Sequence, residues 1–170
     1  GAFVYTRSFE ERNRFRSTAY HNTPRIDGAE MNRLQADLLW SLKYDARPDV
    51  RGFETGSEED RFHGAHAGYE RLPAPVTPVR TILLDHRKHA LTITDAFEGS
   101  GRHRIEVPLH LAPGVEAVDQ APGHVSLQAG GRRFSIEWGL TAAWTLAIGE
   151  GRVSPSYGVA FRSVRLLWTR

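Results

Sequence analysis

Apolar and polar residues alternate with a period of two along most of this chain, and the runs that do so are short. "VRTILLD" (Val79 to Asp85), "ALTITDAFEG" (Ala90 to Gly99) and "HRIEVPLHL" (His103 to Leu111) read as strands, with "AFVYT" (Ala2 to Thr6) as another at the start. From His124 to Trp138 the alternation continues on both sides of Gly130-Gly131, a pair suited to a two-residue hairpin loop that needs positive φ. "AWTLAIGEG" and "VAFRSVRLLW" predict two more strands. Turn residues recur about every ten positions and no helical period persists, which predicts an all-β fold, an antiparallel β-sandwich. The one helical candidate is Ala29 to Leu42, where Met31, Leu34, Leu38 and Leu42 fall near helical spacing before Pro48 and "VRGFETG" return the chain to extended structure.

The 170 residues, 19.1 kDa, suit a single domain spanning 1–170 with a substantial core. A chain that opens inside a predicted strand reads as the end of a longer one. With 22 Lys+Arg against 20 Asp+Glu the net charge is only +2, too weak a field to point to nucleic acid. The basic character is local: Arg7, Arg12, Arg14 and Arg16 surround Glu10 and Glu11. Such a cluster suits a polyanion, and it equally suits a loop whose charges pair internally. Cysteine is absent, which removes disulfides, thiolate metal sites and a cysteine nucleophile. No apolar run approaches the roughly 20 residues of a membrane span, and no signal-peptide pattern is present.

The candidate chemistry sits in "FRSTAYHNTPRIDG", Phe15 to Gly28, where Tyr20, His21 and Asn22 stand together before an Asp-Gly turn. The longer stretch "YTRSFEERNRFRSTAYHNTPRIDG" resembles the heparinase II/III-like polysaccharide lyases, in which a tyrosine, an Arg-rich loop, R-S-T, H-N-T and a D-G hairpin follow in this order. The resemblance continues through "HGAHAGYERLPAPVTPVRTILLD", "ITDAFEGSGRHRIEVPLHLAPGV" and "VSPSYG". It implies a C-terminal β-sandwich whose partner is an N-terminal α/α toroid, with an acidic polysaccharide held in the cleft between them and cleaved by β-elimination. Tyrosine and histidine carry the proton transfers in this chemistry, and the resemblance places them mostly on the toroid. It also implies a bacterial periplasmic or cell-envelope setting.

By the same resemblance His21 is a zinc ligand in the intact protein, together with a His and an Asp that precede it in sequence. Those partners would lie before Gly1, so this chain alone is expected to retain no zinc. Arg12, Arg14, Arg16, Tyr20 and Asn22 are the candidate substrate contacts, although Asn22 is also ordinary turn chemistry and Tyr5 and Tyr20 equally suit a sandwich core. Some relatives carry a catalytic tyrosine where this chain has "RSFEER", with Phe9 and no tyrosine. His63 and His66 would point to opposite faces of a strand, His86 and His89 flank a predicted hairpin tip, and His103, His110 and His124 sit in or beside strands without a carboxylate at ligand spacing. No serine has a nucleophile-elbow context, and no Gly-rich phosphate loop precedes a helix. Two other readings stay open: a carbohydrate-binding module using Trp40, Trp138 or Trp144 as stacking platforms, and a domain that only supports its neighbour.

Overall fold

The computed structural model describes residues 3–39, 41–140 and 144–170. In chain order it has helix α1 (Phe9–Arg16), a 3-10 turn (Thr18–Tyr20), β1 (Arg25–Ile26), β2 (Pro48–Thr55), β3 (Glu59–His66), β4 (Val76–Asp85) and β5 (Ala90–Gly99). There follow β6 (Ile105–His110), β7 (Glu116–Ala121), β8 (His124–Ala129), β9 (Arg132–Glu137), β10 (Thr145–Ser156) and β11 (Val159–Thr169). Every strand pairing is antiparallel, as the alternation predicted. The chain forms two compact units, one from Gly1–Gly28, Gln35–Trp40 and Arg104–Arg170, the other from Ala29–Leu34 and Ser41–His103.

The first unit contains two sheets, ordered β1-β6-β11-β10 and β7-β8-β9. Their inner faces meet at Val125 and Leu127 of β8 and Leu166 of β11, with Leu111 just beyond β6. Val164, Leu166 and Trp168 lie two apart on β11, so all three turn to this core, and Leu166 stands directly across from Leu109 of β6. Trp138 meets Trp168 edge-on at 5.6 Å between ring centroids. The β8–β9 loop is the predicted Gly130-Gly131 pair, at φ 54° and 75°.

The second unit contains the sheet β2-β3-β4-β5; its buried apolar residues include Val76 and Val79 of β4 together with Ala46 and Tyr69. Arg80 and Asp95 oppose one another on β4 and β5 and form a two-pronged ion pair at 2.7 and 2.8 Å. Asp45 accepts from the Arg33 backbone at 2.8 Å and from its guanidinium at 3.0 and 2.7 Å. Those hydrogen bonds lower the Asp45 carboxyl to about 2.

Three expectations are corrected here. Residues Phe3 to Thr6 are not a strand; Ala2 lies outside the described residues. This segment is held instead by Phe3 O accepting from Gly158 N, by Tyr5 O accepting from Arg12, and by the buried Val4. Nor do the described residues of Ala29 to Leu42 form a helix: Leu34 and Leu42 form an antiparallel bridge, and carbonyls a helix would use are taken by side chains. Arg12 and Asn13 donate to Ala36 O, and Arg16 donates to Gln35 O, Leu38 O and Leu39 O. The Arg-rich loop is itself the helix, α1. Its sequence "SFEE" is a capping pattern, with Ser8 Oγ accepting from Glu11 N at 3.2 Å, acids in the first turn and arginines in the last.

Two outcomes follow from this packing. Leu166 is fully buried, so Leu166→Ala lowers stability by about 2–5 kcal/mol in urea denaturation with an unchanged m-value. His86, in the turn after β4, has Nε2 3.0 Å from Asp60 and Nδ1 3.4 Å from Ser57 O, and these bonds raise its pKa above 6.5. A raised histidine pKa stabilises the fold fully below the unfolded value and loses that contribution as pH climbs through the folded one. Thermal midpoints measured from pH 6 upward therefore fall by more in the parent than in His86→Gln, and equal slopes would show that this contact contributes nothing.

Candidate functional site

The site is assembled by the turn that follows α1. Phe15, 4% exposed, anchors the helix against Phe3 at 5.4 Å and Tyr20 at 5.2 Å. After Arg16 the chain turns extended at Ser17 and makes the single 3-10 turn, with Tyr20 N and His21 N donating to Ser17 O and Thr18 O. Tyr20 is thereby placed with its ring between Phe15 and His110 of β6, the latter 5.3 Å away.

Asn22 ties the turn to the sheet. Its Oδ1 accepts from His110 N at 2.8 Å, while His110 Nε2 lies 2.9 Å from Ala19 O. The second bond fixes the Nε2–H tautomer of a neutral His110. Burial first, and then the charge of Arg165, push the His110 pKa below its ordinary value. His21, in contrast, is exposed, and its backbone closes the turn: its N–H donates to Thr18 O and its carbonyl accepts from Thr23 N. Tyr20, His21 and Asn22 stand together because the outer two fasten the turn to β6 and hold the middle one outward.

The segment ends in the predicted Asp27-Gly28 turn, at φ 52° and 67°. Asp27 N donates to Arg104 O, and Asp27 Oδ1 accepts from Arg104 N, each at 2.8 Å.

The arginines predicted to meet substrate are engaged with the protein itself. Arg12 is 3% exposed and donates to Tyr5 O, Ala36 O and Asn13 Oδ1, with its guanidinium 4.5 Å from the Phe9 ring. Arg14 pairs with Glu10 and Glu11. Arg16 serves the carbonyls of residues 35, 38 and 39, and burial, then neighbouring Arg12, lower its pKa.

Among the described residues no group of three or more His, Asp or Glu side chains is placed to hold a metal ion. His63 and His66 share strand β3 at odd spacing, and His66 packs on Tyr69. Trp138 is packed against the first unit's core, Trp144 is half-buried, and Trp40 lies outside the described residues. The register also brings His110 and Arg165 side by side, which no feature of the sequence announces.

The two roles assigned to the turn separate by mutation. Asn22→Ala removes the acceptor of the His110 N–H, an exposed bond that water can partly replace, and lowers stability by about 0.5–1.5 kcal/mol, read as a fall in the thermal midpoint. His21→Ala moves it by under about 0.5 kcal/mol, as for other exposed positions.

The protein-family model described as "Heparinase II/III-like, C-terminal" matches residues 1–169. No curated protein matches the chain. Among solved structures, the heparan sulfate lyase HepC from Pedobacter heparinus is similar at 21% identity and a TM-score of 0.79. A heparinase III is similar at 15% identity and a TM-score of 0.76. Each comparison covers 100% of this chain but only 25% of the other, so this chain spans about a quarter of those proteins. The likeness in fold agrees with the match along almost every residue: the chain belongs to the heparinase II/III-like C-terminal family.

Proposed function

We propose that this chain is the C-terminal β-domain of a polysaccharide lyase that cleaves a uronate-containing acidic polysaccharide by β-elimination. The observation that carries the reading is the family match over residues 1–169, which includes the turn that holds His21 outward. In such a reaction a base removes the proton at C5 of the uronate, the C4–O4 bond breaks, and an acid protonates the departing O4. Among the described residues, Nε2 of His110 is committed to Ala19 O with its pKa lowered by burial, and Tyr20 packs its ring between Phe15 and His110. The proton transfers are therefore assigned to a preceding α/α toroid domain.

Within this division of labour, Tyr20 and Asn22 form the substrate-facing rim. Arg12 and Arg16 hold the segment beside that rim, and Arg14, paired with Glu10 and Glu11, stands with them on α1. His21 contributes one donor to a zinc site whose other donors come from outside residues 1–170. The periplasm or cell envelope of a bacterium is where such a polymer would be met, and no described helix is long and apolar enough to cross a membrane. A carbohydrate-binding module is less favoured, because Trp138 gives its ring to the core.

The test is the full-length protein incubated with alginate, heparan-type and bacterial capsular polysaccharides while absorbance of the unsaturated product is followed. Product is expected from at least one uronate polymer, with none from residues 1–170 alone. His21→Ala in the full-length protein lowers bound zinc and turnover together. Turnover by the isolated chain that disappears in His21→Ala would place a complete site here and sink the reading.

A further inference from the structure

The antiparallel register sets Arg165 of β11 between His110 of β6 and Gly149 of β10, three residues in one row on one face of the sheet. Ser163 and Gly151 form the next row on the same face. Gly151 leaves space that these side chains use: a Cβ there would lie 2.9 Å from Ser163 Oγ and 3.3 Å from Arg165 Cβ. At Gly149 a Cβ would meet nothing within 4 Å, so the sheet is open beside Arg165.

Among the described arginines that are buried or half-buried, Arg12 and Arg16 bind carbonyls, while Arg14, Arg25, Arg80 and Arg152 pair with carboxylates. The Arg165 side chain is half-buried and makes no hydrogen bond or ion pair with any described residue. Its Nε is sealed from solvent without a partner, as is the adjacent Ser163 Oγ, whereas its terminal nitrogens are not sealed. Neutral His110 beside it supplies neither a counter-charge nor a competing positive charge. A guanidinium partly withdrawn from water and left unpaired is unfavourable, and a planar oxyanion meeting its fork removes that cost.

We infer that Arg165, opening onto the lane left by Gly149, is a binding site for an oxyanion group, carboxylate or sulfate, of an acidic sugar. That the site takes an oxyanion follows from its own geometry. That the anion belongs to a polysaccharide rests on the function proposed above.

The experiment is nuclear magnetic resonance of the isotope-labelled chain titrated with sodium glucuronate, sodium sulfate and glucose at constant ionic strength. Glucuronate and sulfate are expected to shift the Gly149 and Gly151 amides and the Arg165 Nε–H signal saturably, and glucose to leave them in place. Arg165→Gln weakens the response roughly tenfold or more, the loss of a charge-assisted pair. Gly149→Glu sets a carboxylate across from Arg165 and blocks it likewise. This second variant decides the matter if Arg165→Gln does not fold. Absent shifts, shifts equal with glucose, or shifts that survive the charge changes would overturn the site. Binding here without unsaturated product from the full-length protein would instead reject the lyase reading and leave the site standing.

Discussion

A buried guanidinium without a carboxylate organises the start of this chain. Arg12 is nearly inaccessible, yet among the described residues its hydrogen bonds go to neutral oxygens: the carbonyls of Tyr5 and Ala36 and the side chain of Asn13. Withdrawing the charge from water is tolerable only while those acceptors stay in place. Three stretches of chain are thus bound to one side chain, and Arg16 repeats the arrangement one turn later with carbonyls at 35, 38 and 39. The helix that carries both arginines then positions Phe15, Phe15 positions Tyr20, and the turn at Thr18–Tyr20 delivers Asn22 to the edge of β6. The exposure of His21 is the last step of that sequence.

The long hairpins were legible from alternation alone because each has a turn of the right chemistry. β5 spans Ala90–Gly99 as predicted, and Gly130-Gly131 marks the β8–β9 loop. What failed was local pattern competing with distant partners. The spacing of Met31, Leu34, Leu38 and Leu42 satisfies a helix, but side chains some twenty positions earlier capture the carbonyls that helix needs. The miss at α1 had a readable remedy in Ser8 and Glu11, a capping pair obscured by the density of charge around it.

The site divides in the same way. Tyr20, His21, Asn22 and the Asp27-Gly28 turn could be picked out as a contiguous stretch, since adjacent residues share one turn. The pairing of His110 with Arg165 could not, because strand register brings together positions 55 apart in a chain whose other arginines and histidines look no different. Charge counting also misleads at the Arg cluster: it shows how many guanidinium groups are present and nothing of how many the backbone consumes.

Strand β10 carries a further consequence. It is one of the longest strands, it lies at the border of its sheet, and its outer row of amides and carbonyls has the form another strand would pair with. Several of its residues discourage such pairing. Glu150 and Arg152 place opposite charges along it, Gly149 and Gly151 weaken its β-propensity, and Pro155 removes a donor where the register shifts between Val153 and Ser156. The glycines that leave room beside Arg165 therefore also protect against self-association, and enlarging either to a β-branched residue would trade binding space for a strand more prone to aggregate.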